Sequence, residues 1–189
     1  NITMPVLHKE YHKANCTISE ADKLIRKYID ESCSCEYYDE LIQNEKSWDV
    51  FSQLSSLRQG LLNWYEFNAD AEALEIGGGF GALTGLLCKK CAHVTVTERS
   101  VFRAESICKR YSSIDNLDVY AGDVLDIKFE RKFDYIILIG IIERIGNGSF
   151  DANIYTDYLN NIKKLLKPNG KLLLAAENRY GLKYLCGAA

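Results

Sequence analysis

The tract Glu72-Ala73-Leu74-Glu75-Ile76-Gly77-Gly78-Gly79-Phe80-Gly81-Ala82-Leu83-Thr84 constrains this chain more than any other part of it. A short apolar run ends in an acid, Glu75. Glycines then recur at Gly77, Gly79 and Gly81, and a stretch able to turn helical follows. The pattern is that of a strand running into a glycine-rich turn at a helix N-terminus. Such a turn needs backbone at positive φ and a main chain that a ligand can approach closely.

The acid chooses between ligands. A turn built for a dinucleotide offers helix N–H groups to a pyrophosphate and gains nothing from a carboxylate at the strand end. S-adenosylmethionine carries a sulfonium and an ammonium instead of a phosphate. Glu75 beside the glycines is favourable for that ligand and unfavourable for NAD. The sign of the charge is the first argument for methyl transfer.

The surroundings fit an α/β unit. Apolar runs at 73–76, 93–97, 117–121, 135–139 and 171–176 read as strands, and 80–91, 100–112 and 152–166 read as helices. Lys167-Pro168-Asn169-Gly170 is a helix stop followed by a turn. Near-continuous apolar strands alternating with helices imply a parallel sheet covered on both faces. Right-handed crossovers then give a doubly wound sheet, with ligands at the carboxyl ends of its strands. Before this unit, residues 17–31 and 55–65 read as helices. The first has an apolar stripe of Leu24, Ile25, Tyr28 and Ile29. The second is expected to turn Leu57, Leu61, Leu62 and Trp64 inward.

The 189 residues suffice for a real core, with 47% hydrophobic and 26% charged residues. A net charge of −3 without a Lys/Arg block suggests no nucleic-acid partner. No apolar run reaches the ~18 residues of a membrane span and no signal-peptide pattern opens the chain, so a cytoplasmic protein is expected. Of seven cysteines, Cys88 and Cys91 have metal-ligand spacing, but no second pair or nearby histidine completes a site. They read as buried thiols at a helix end, and no metal is expected. His93 reads as a packing residue. His8 and His12 lie in an N-terminal arm able to close over a ligand, and Tyr11, Tyr37, Tyr38 and Trp48 are candidates for a lid.

Three further features sit where a nucleoside crevice needs them. The second strand of the unit ends in Thr97-Glu98-Arg99, placing a carboxylate to accept both ribose hydroxyls. The third ends in Gly122-Asp123-Val124, where the acid can accept from an adenine amino group beside an apolar neighbour. The fourth runs into Gly140-Ile141-Ile142-Glu143, past the place of the sulfonium.

Together these residues resemble the class I S-adenosylmethionine-dependent methyltransferases. The acid and the glycines fall on Glu75, Gly77, Gly79 and Gly81, with Gly78 between them. The ribose acid falls on Glu98 next to Arg99, and the adenine motif on Gly122 and Asp123. Ile142-Glu143 resembles the motif after the fourth strand, and 167–171 the turn before the fifth. The resemblance covers residues 71–177. It implies an enzyme with a Rossmann-like, mostly parallel sheet in the order 3-2-1-4-5, with the family's C-terminal strands absent. Residues 1–68 are expected to form a helical cap and 69–189 the S-adenosylmethionine-binding domain, as part of a longer multidomain chain. Val124 and Gly140 join the cofactor set, and Arg58 of the cap is placed to reach the methionine carboxylate. Methyl transfer from a sulfonium needs alignment more than acid or metal. Glu143 is the nearest candidate base for an acceptor that must lose a proton.

A narrower resemblance links 61–65 and 177–184 to methyltransferase domains found with bacterial surface-polysaccharide and glycosyltransferase proteins. It implies a small-molecule, sugar or glycan-precursor acceptor, met by Asn178, Arg179 and Tyr180. Three rivals stand beside this reading. One is an NAD-dependent oxidoreductase, since Gly77-x-Gly79-x-x-Ala82 fits the looser dinucleotide pattern. Another is an RNA adenine methyltransferase, whose first motif the tract 75–84 approaches. Its proline and aromatic after the fourth strand are missing from Ile139-Gly140-Ile141-Ile142. The third is a non-catalytic S-adenosylmethionine-binding module of a larger protein.

Overall fold

The computed structural model describes residues 4–13, 16–32, 38–145 and 151–176. Among these, six strands form one parallel sheet: β1 (Val6–His8), β2 (Glu72–Ile76), β3 (His93–Glu98), β4 (Leu117–Ala121), β5 (Phe133–Ile139) and β6 (Leu166–Ala175), ordered β1-β4-β3-β2-β5-β6. Counted from β2, the inner five give the order 3-2-1-4-5 expected of a doubly wound sheet. The strand β1 is an addition that the sequence did not announce. Three residues of the N-terminal arm pair in parallel with Asp118–Tyr120 of β4, and the ring of His8 stacks on Tyr120 at 4.1 Å.

Both sheet faces are covered, as continuous apolar strands require. On one side Leu83, Leu86 and Leu87 of the turn and α3 (Thr84–Lys90) pack with Ala104 and Ile107 of α4 (Val101–Arg110) over Val94, Val96 and Val119. On the other, Ile162, Tyr158 and Leu159 of α5 (Ala152–Lys163) cover Leu74, Ile136 and Leu138. Helix α4 starts where expected, with Ser100 Oγ accepting from the Arg103 amide. Cys88 and Cys91 are buried at the end of α3, and burial pushes the Cys91 thiol up to about 11. The start of β6 departs from a plain turn. Leu166 already pairs with Phe133, and 167–170 bulge out before Lys171 pairs with Tyr135. His93 opens β3 half-buried, and its Nε2 lies 3.0 Å from Asp118 Oδ2, so it meets an acid where simple packing was expected.

The cap comprises α1 (Glu20–Glu31), α2 (Trp48–Leu54) and a 3-10 turn over Ser56–Leu61. Ser19 and Asp22 close the first turn of α1 reciprocally. Ser19 Oγ accepts from the Asp22 amide and Asp22 Oδ2 from the Ser19 amide. Ile25 and Ile29 join Tyr38, Ile42, Val50 and Leu54 in a cluster that reaches Phe80 of the glycine turn, so the cap is docked directly on that turn. The helix expected over 55–65 is a correction. It is a short 3-10 turn, and of its inward set only Leu62 is buried. Leu57 and Trp64 are 73% and 74% exposed. Gly60 in its middle and the tight i→i+3 winding leave no continuous apolar face.

Candidate cofactor site

The turn after β2 is shaped by its glycines. Gly77, Gly79 and Gly81 have φ of 74°, 58° and 82°, the left-handed region that side chains disfavour. The amides of Gly77 and Gly78 both donate to the Thr97 carbonyl, at 2.8 and 3.1 Å, which locks the turn onto the end of β3. Gly78 serves packing rather than a left-handed bend, because a Cβ there would run into Val96 and Ile107.

Two carboxylates lie under this turn. Glu75 is 4% exposed, and Thr84 Oγ1 donates to its Oε2 at 2.6 Å. Burial raises its pKa and the nearby Glu98 charge adds to that. Thr84, Arg58 and Arg110 pull the other way, and the net position is about 7. Glu98 is 7% exposed. Its Oε2 accepts from the Gly79 amide at 2.9 Å and its Oε1 from the Ser100 amide at 3.0 Å. Burial lifts its pKa as well, resisted by those backbone donors. Glu98 therefore ties the glycine turn to the start of α4, and its remaining lone pairs are what a ribose could use.

The cap supplies the facing wall. Gln53 Oε1 accepts from the Phe80 amide at 3.2 Å, and Arg110 reaches the Gln53 and Phe80 carbonyls at 3.0 Å. Gln53 and Arg58 close over Glu75, Gly77, Gly78, Gly79, Ile137 and Ile139 to leave a narrow crevice of about 30 Å³. The Arg58 guanidinium, desolvated there and near Arg144, has its pKa lowered against the pull of Glu75. Its Nη2 lies 3.6 Å from the point where a Cβ of Gly140 would stand, and Gly140 has φ of 68°. Arg58 and Gly140, distant in sequence, thus meet beside the crevice.

At the other end Arg99 Nε lies 3.7 Å from Asp123 Oδ2, joining the ends of β3 and β4. Asp123 Oδ1 caps its own turn through the Leu125 amide, and Val124 is buried beneath. Glu143 stands in a 3-10 turn over Ile142–Arg144, directly after the end of β5. Asn178, Arg179 and Tyr180 lie outside the described residues, as does Tyr37. Among the lid candidates Tyr38 is a core residue and Trp48 is 74% exposed. A larger cleft of about 650 Å³ lies between the ends of α3 and α4, lined by Cys88, Lys89, Arg110 and Asn116. It shares Arg110 and Tyr111 with the back of the glycine turn, where they bond the Phe80 and Gly81 carbonyls, but none of Glu75, Glu98 and Asp123 lines it, so size alone does not mark the site.

Thr84, Gln53 and Arg103 were not foreseen. Thr84 was legible, since a hydroxyl nine residues after a buried acid falls on the first turn of the following helix. Arg103 binds Asp22 across the cap at 3.0 and 3.3 Å. No local pattern could have shown that bond or Gln53. The donor set suits a cationic, phosphate-free nucleoside ligand. Buried acids flank the turn, the Arg58 guanidinium stands over the crevice beside Gly140, and the glycines of the turn take the left-handed backbone.

Comparison with known proteins agrees. The family described as "Methyltransferase domain" matches residues 74–172. The chain is similar to a malonyl-[acyl-carrier protein] O-methyltransferase of Priestia megaterium, 31% identical over 137 residues, covering 69% of this chain and 47% of that protein. A probable ribosomal RNA small subunit methyltransferase A of Methanothermobacter thermautotrophicus is 36% identical over 72 residues, covering 38% of this chain and 26% of that one. The chain spans about half the length of the first of these and about a quarter of the second. Among solved structures, the N-methyltransferase NodS from Bradyrhizobium japonicum superposes with a TM-score of 0.51 at 25% identity, over 63% of this chain and 62% of that one. Haemonchus contortus phosphoethanolamine N-methyltransferase 1 shares the fold, with a TM-score of 0.57 at 17% identity, over 84% and 33%.

Proposed function

We propose that this chain, which belongs to the class I S-adenosylmethionine-dependent methyltransferases, holds that cofactor across the ends of β2, β3 and β4 and transfers its methyl group to a small acceptor. One observation carries the reading: buried Glu75 and Glu98 end adjacent strands on either side of a left-handed glycine turn. When bound, the sulfonium supplies an activated methyl group whose leaving group is a neutral thioether.

The chain's own residues then bind and orient. Gly77, Gly78, Gly79 and Gly81 present the main chain, with Glu75 as counter-charge to the cationic end. Glu98 accepts from the ribose, Asp123 accepts from the base between Arg99 and Val124, and Arg58 beside Gly140 meets the carboxylate. Alignment of this kind is the principal resource for an in-line displacement. Glu143, just past β5, is the base if the acceptor must lose a proton.

For the acceptor we favour a small polar molecule of the sugar or glycan-precursor class, on the donors of Asn178 and Arg179 and the phenol of Tyr180. A role in polysaccharide biosynthesis in the cytoplasm extends the same reading. Among the described residues no helix is long and apolar enough to cross a membrane. A carboxylate acceptor on a carrier protein is the second reading, favoured by the 31% identity to the malonyl-carrier enzyme. A ribosomal RNA acceptor has less support, because Ile139–Ile142 offers no proline or aromatic to hold a base.

Calorimetry with S-adenosylhomocysteine, followed by methylation of a metabolite extract with radiolabelled S-adenosylmethionine, tests the proposal. Binding with label in a small polar product supports it. NADH binding without S-adenosylhomocysteine binding would overturn it, and binding without turnover would make the protein a cofactor-binding module.

A further inference from the structure

We infer that the N-terminal turn over residues 9–13 is part of the cofactor site, with Tyr11 as the outer wall of its adenine end. The inference rests on the cofactor reading above. The arm leaves β1 parallel to β4, so it emerges at the carboxyl end of the sheet, where Gly122 and Asp123 lie. There it packs directly on the adenine motif. A Cβ added to Gly122 would stand 2.8 Å from Tyr11 Cβ and 2.9 Å from the Tyr11 carbonyl oxygen. Gly122 has an ordinary φ, so its lack of a side chain reflects this contact and not a bend of the chain.

The arm is fastened on both sides of that contact. Lys9 Nζ donates to Glu105 Oε1 at 2.6 Å on α4, and Lys13 Nζ to Asp126 Oδ1 at 2.7 Å in the turn after Asp123. The Tyr11 ring leans on Tyr120 at 6.1 Å, and His8 stacks on the same ring. These contacts span the sheet edge and hold Tyr11 against Gly122, the neighbour of the residue proposed to accept from the base. The class of group that fits an aromatic wall beside a strand-end carboxylate is a purine base.

The test compares S-adenosylhomocysteine and adenosine binding by calorimetry in the wild type, Tyr11→Ala, Tyr11→Phe and Gly122→Ala. Tyr11→Ala is expected to weaken both ligands by the same factor, about tenfold, because the arm meets only the base they share. Tyr11→Phe keeps the wall and should bind as the wild type does. Gly122→Ala should displace the arm and reproduce the loss. Tyr11 is half-buried in an edge segment, so melting temperatures of the ligand-free variants should stay close together and separate lost contact from lost fold. Wild-type affinity in both Tyr11→Ala and Gly122→Ala would overturn the inference and leave the cofactor reading intact. A wild type that binds neither ligand would overturn both.

Discussion

Thr84 Oγ1 donates a 2.6 Å hydrogen bond to Glu75 Oε2, and both side chains are buried where β2 passes into α3. The carboxyl group is largely desolvated, bonded to the Thr84 hydroxyl and lining the narrow crevice under Arg58. Its protonation is therefore coupled to folding and to any cation that enters the crevice.

The coupling to folding has a definite sign. Burial holds the folded-state pKa of Glu75 near 7, against 4.5 for a solvent-exposed carboxyl in the unfolded chain. Between those values the folded protein keeps a proton that the unfolded chain has lost. Stability from this group is thus full below 4.5 and falls as pH rises to 7. At about 1.36 kcal/mol per pH unit the loss is roughly 3 kcal/mol. Urea unfolding of wild type and Glu75→Gln between pH 5 and 8 should show the variant gaining relative stability as pH rises. Parallel profiles would mean that Arg58 keeps Glu75 ionised in the fold.

A cationic ligand should reverse that protonation. Bringing a sulfonium and an ammonium near Glu75 favours the carboxylate, so binding expels a proton around neutrality. Affinity for S-adenosylmethionine is expected to tighten from pH 6 to pH 7.5. Calorimetry in two buffers of different ionisation enthalpy should show proton release in the wild type and none in Glu75→Gln. Equal heats in the two buffers for the wild type would count against Glu75 as the counter-charge.

The strands and the parallel sheet were legible because each strand is an apolar run bounded by turn residues and parallel crossovers have one hand, while the order 3-2-1-4-5 came from the resemblance to the methyltransferases. Glu75, Glu98 and Asp123 were legible because strand ends in such a sheet point at one crevice. The part that was not legible lies in the cap. Leu57 and Trp64 read as an inward face on helical spacing, yet a 3-10 turn leaves them in solvent. Three residues of the arm became β1 because β4 offered an open edge, which no local pattern encodes. Gln53 and Arg103 reach the site only through tertiary packing.

Glu98 combines two duties, so its removal should show in two measurements. Glu98→Ala strips an acceptor from the Gly79 and Ser100 amides, at about 1–3 kcal/mol for a buried donor left unpaired. It also removes the proposed ribose contact. The variant should melt lower and bind S-adenosylhomocysteine at least about tenfold more weakly. A lower melting temperature with unchanged affinity would make Glu98 a brace for the turn and nothing more.

Asp22 ties the cap to the sheet. Burial opposes its ionisation, but the Arg103 hydrogen bond and charge and the two Ser19 contacts outweigh that and hold its pKa below 3.8. Asp22 is buried but the Arg103 side chain is 32% exposed, so water screens part of the loss. Asp22→Asn is expected to cost about 1–2 kcal/mol at neutral pH. The folded pKa is depressed, so that contribution exists above 3.8 and disappears as pH falls through the lower folded value. Chemical unfolding at pH 7 and pH 3 should therefore show the penalty shrinking in acid. An equal penalty at both would assign it to packing or to the α1 cap.

Gly77 and Gly60 offer a matched pair for the turn itself. At Gly77, φ is +74° and a Cβ would run into the Ile141 side chain, so alanine meets both backbone strain and a collision. The left-handed conformation alone costs about 1–2 kcal/mol for a residue with a Cβ. Relief would require a new rotamer of Ile141 or a shift of the turn, and both lie on the walls proposed to meet the cationic end of the cofactor. At Gly60 a Cβ meets nothing within 4 Å and φ is not positive. Alanine there should be neutral, or stabilise by about 0.4–1 kcal/mol through the unfolded chain. Gly77→Ala is accordingly expected to lower the melting temperature and abolish measurable S-adenosylhomocysteine binding, while Gly60→Ala does neither. If Gly77→Ala bound the ligand normally, the turn would be a packing device and the cofactor would have to lie elsewhere.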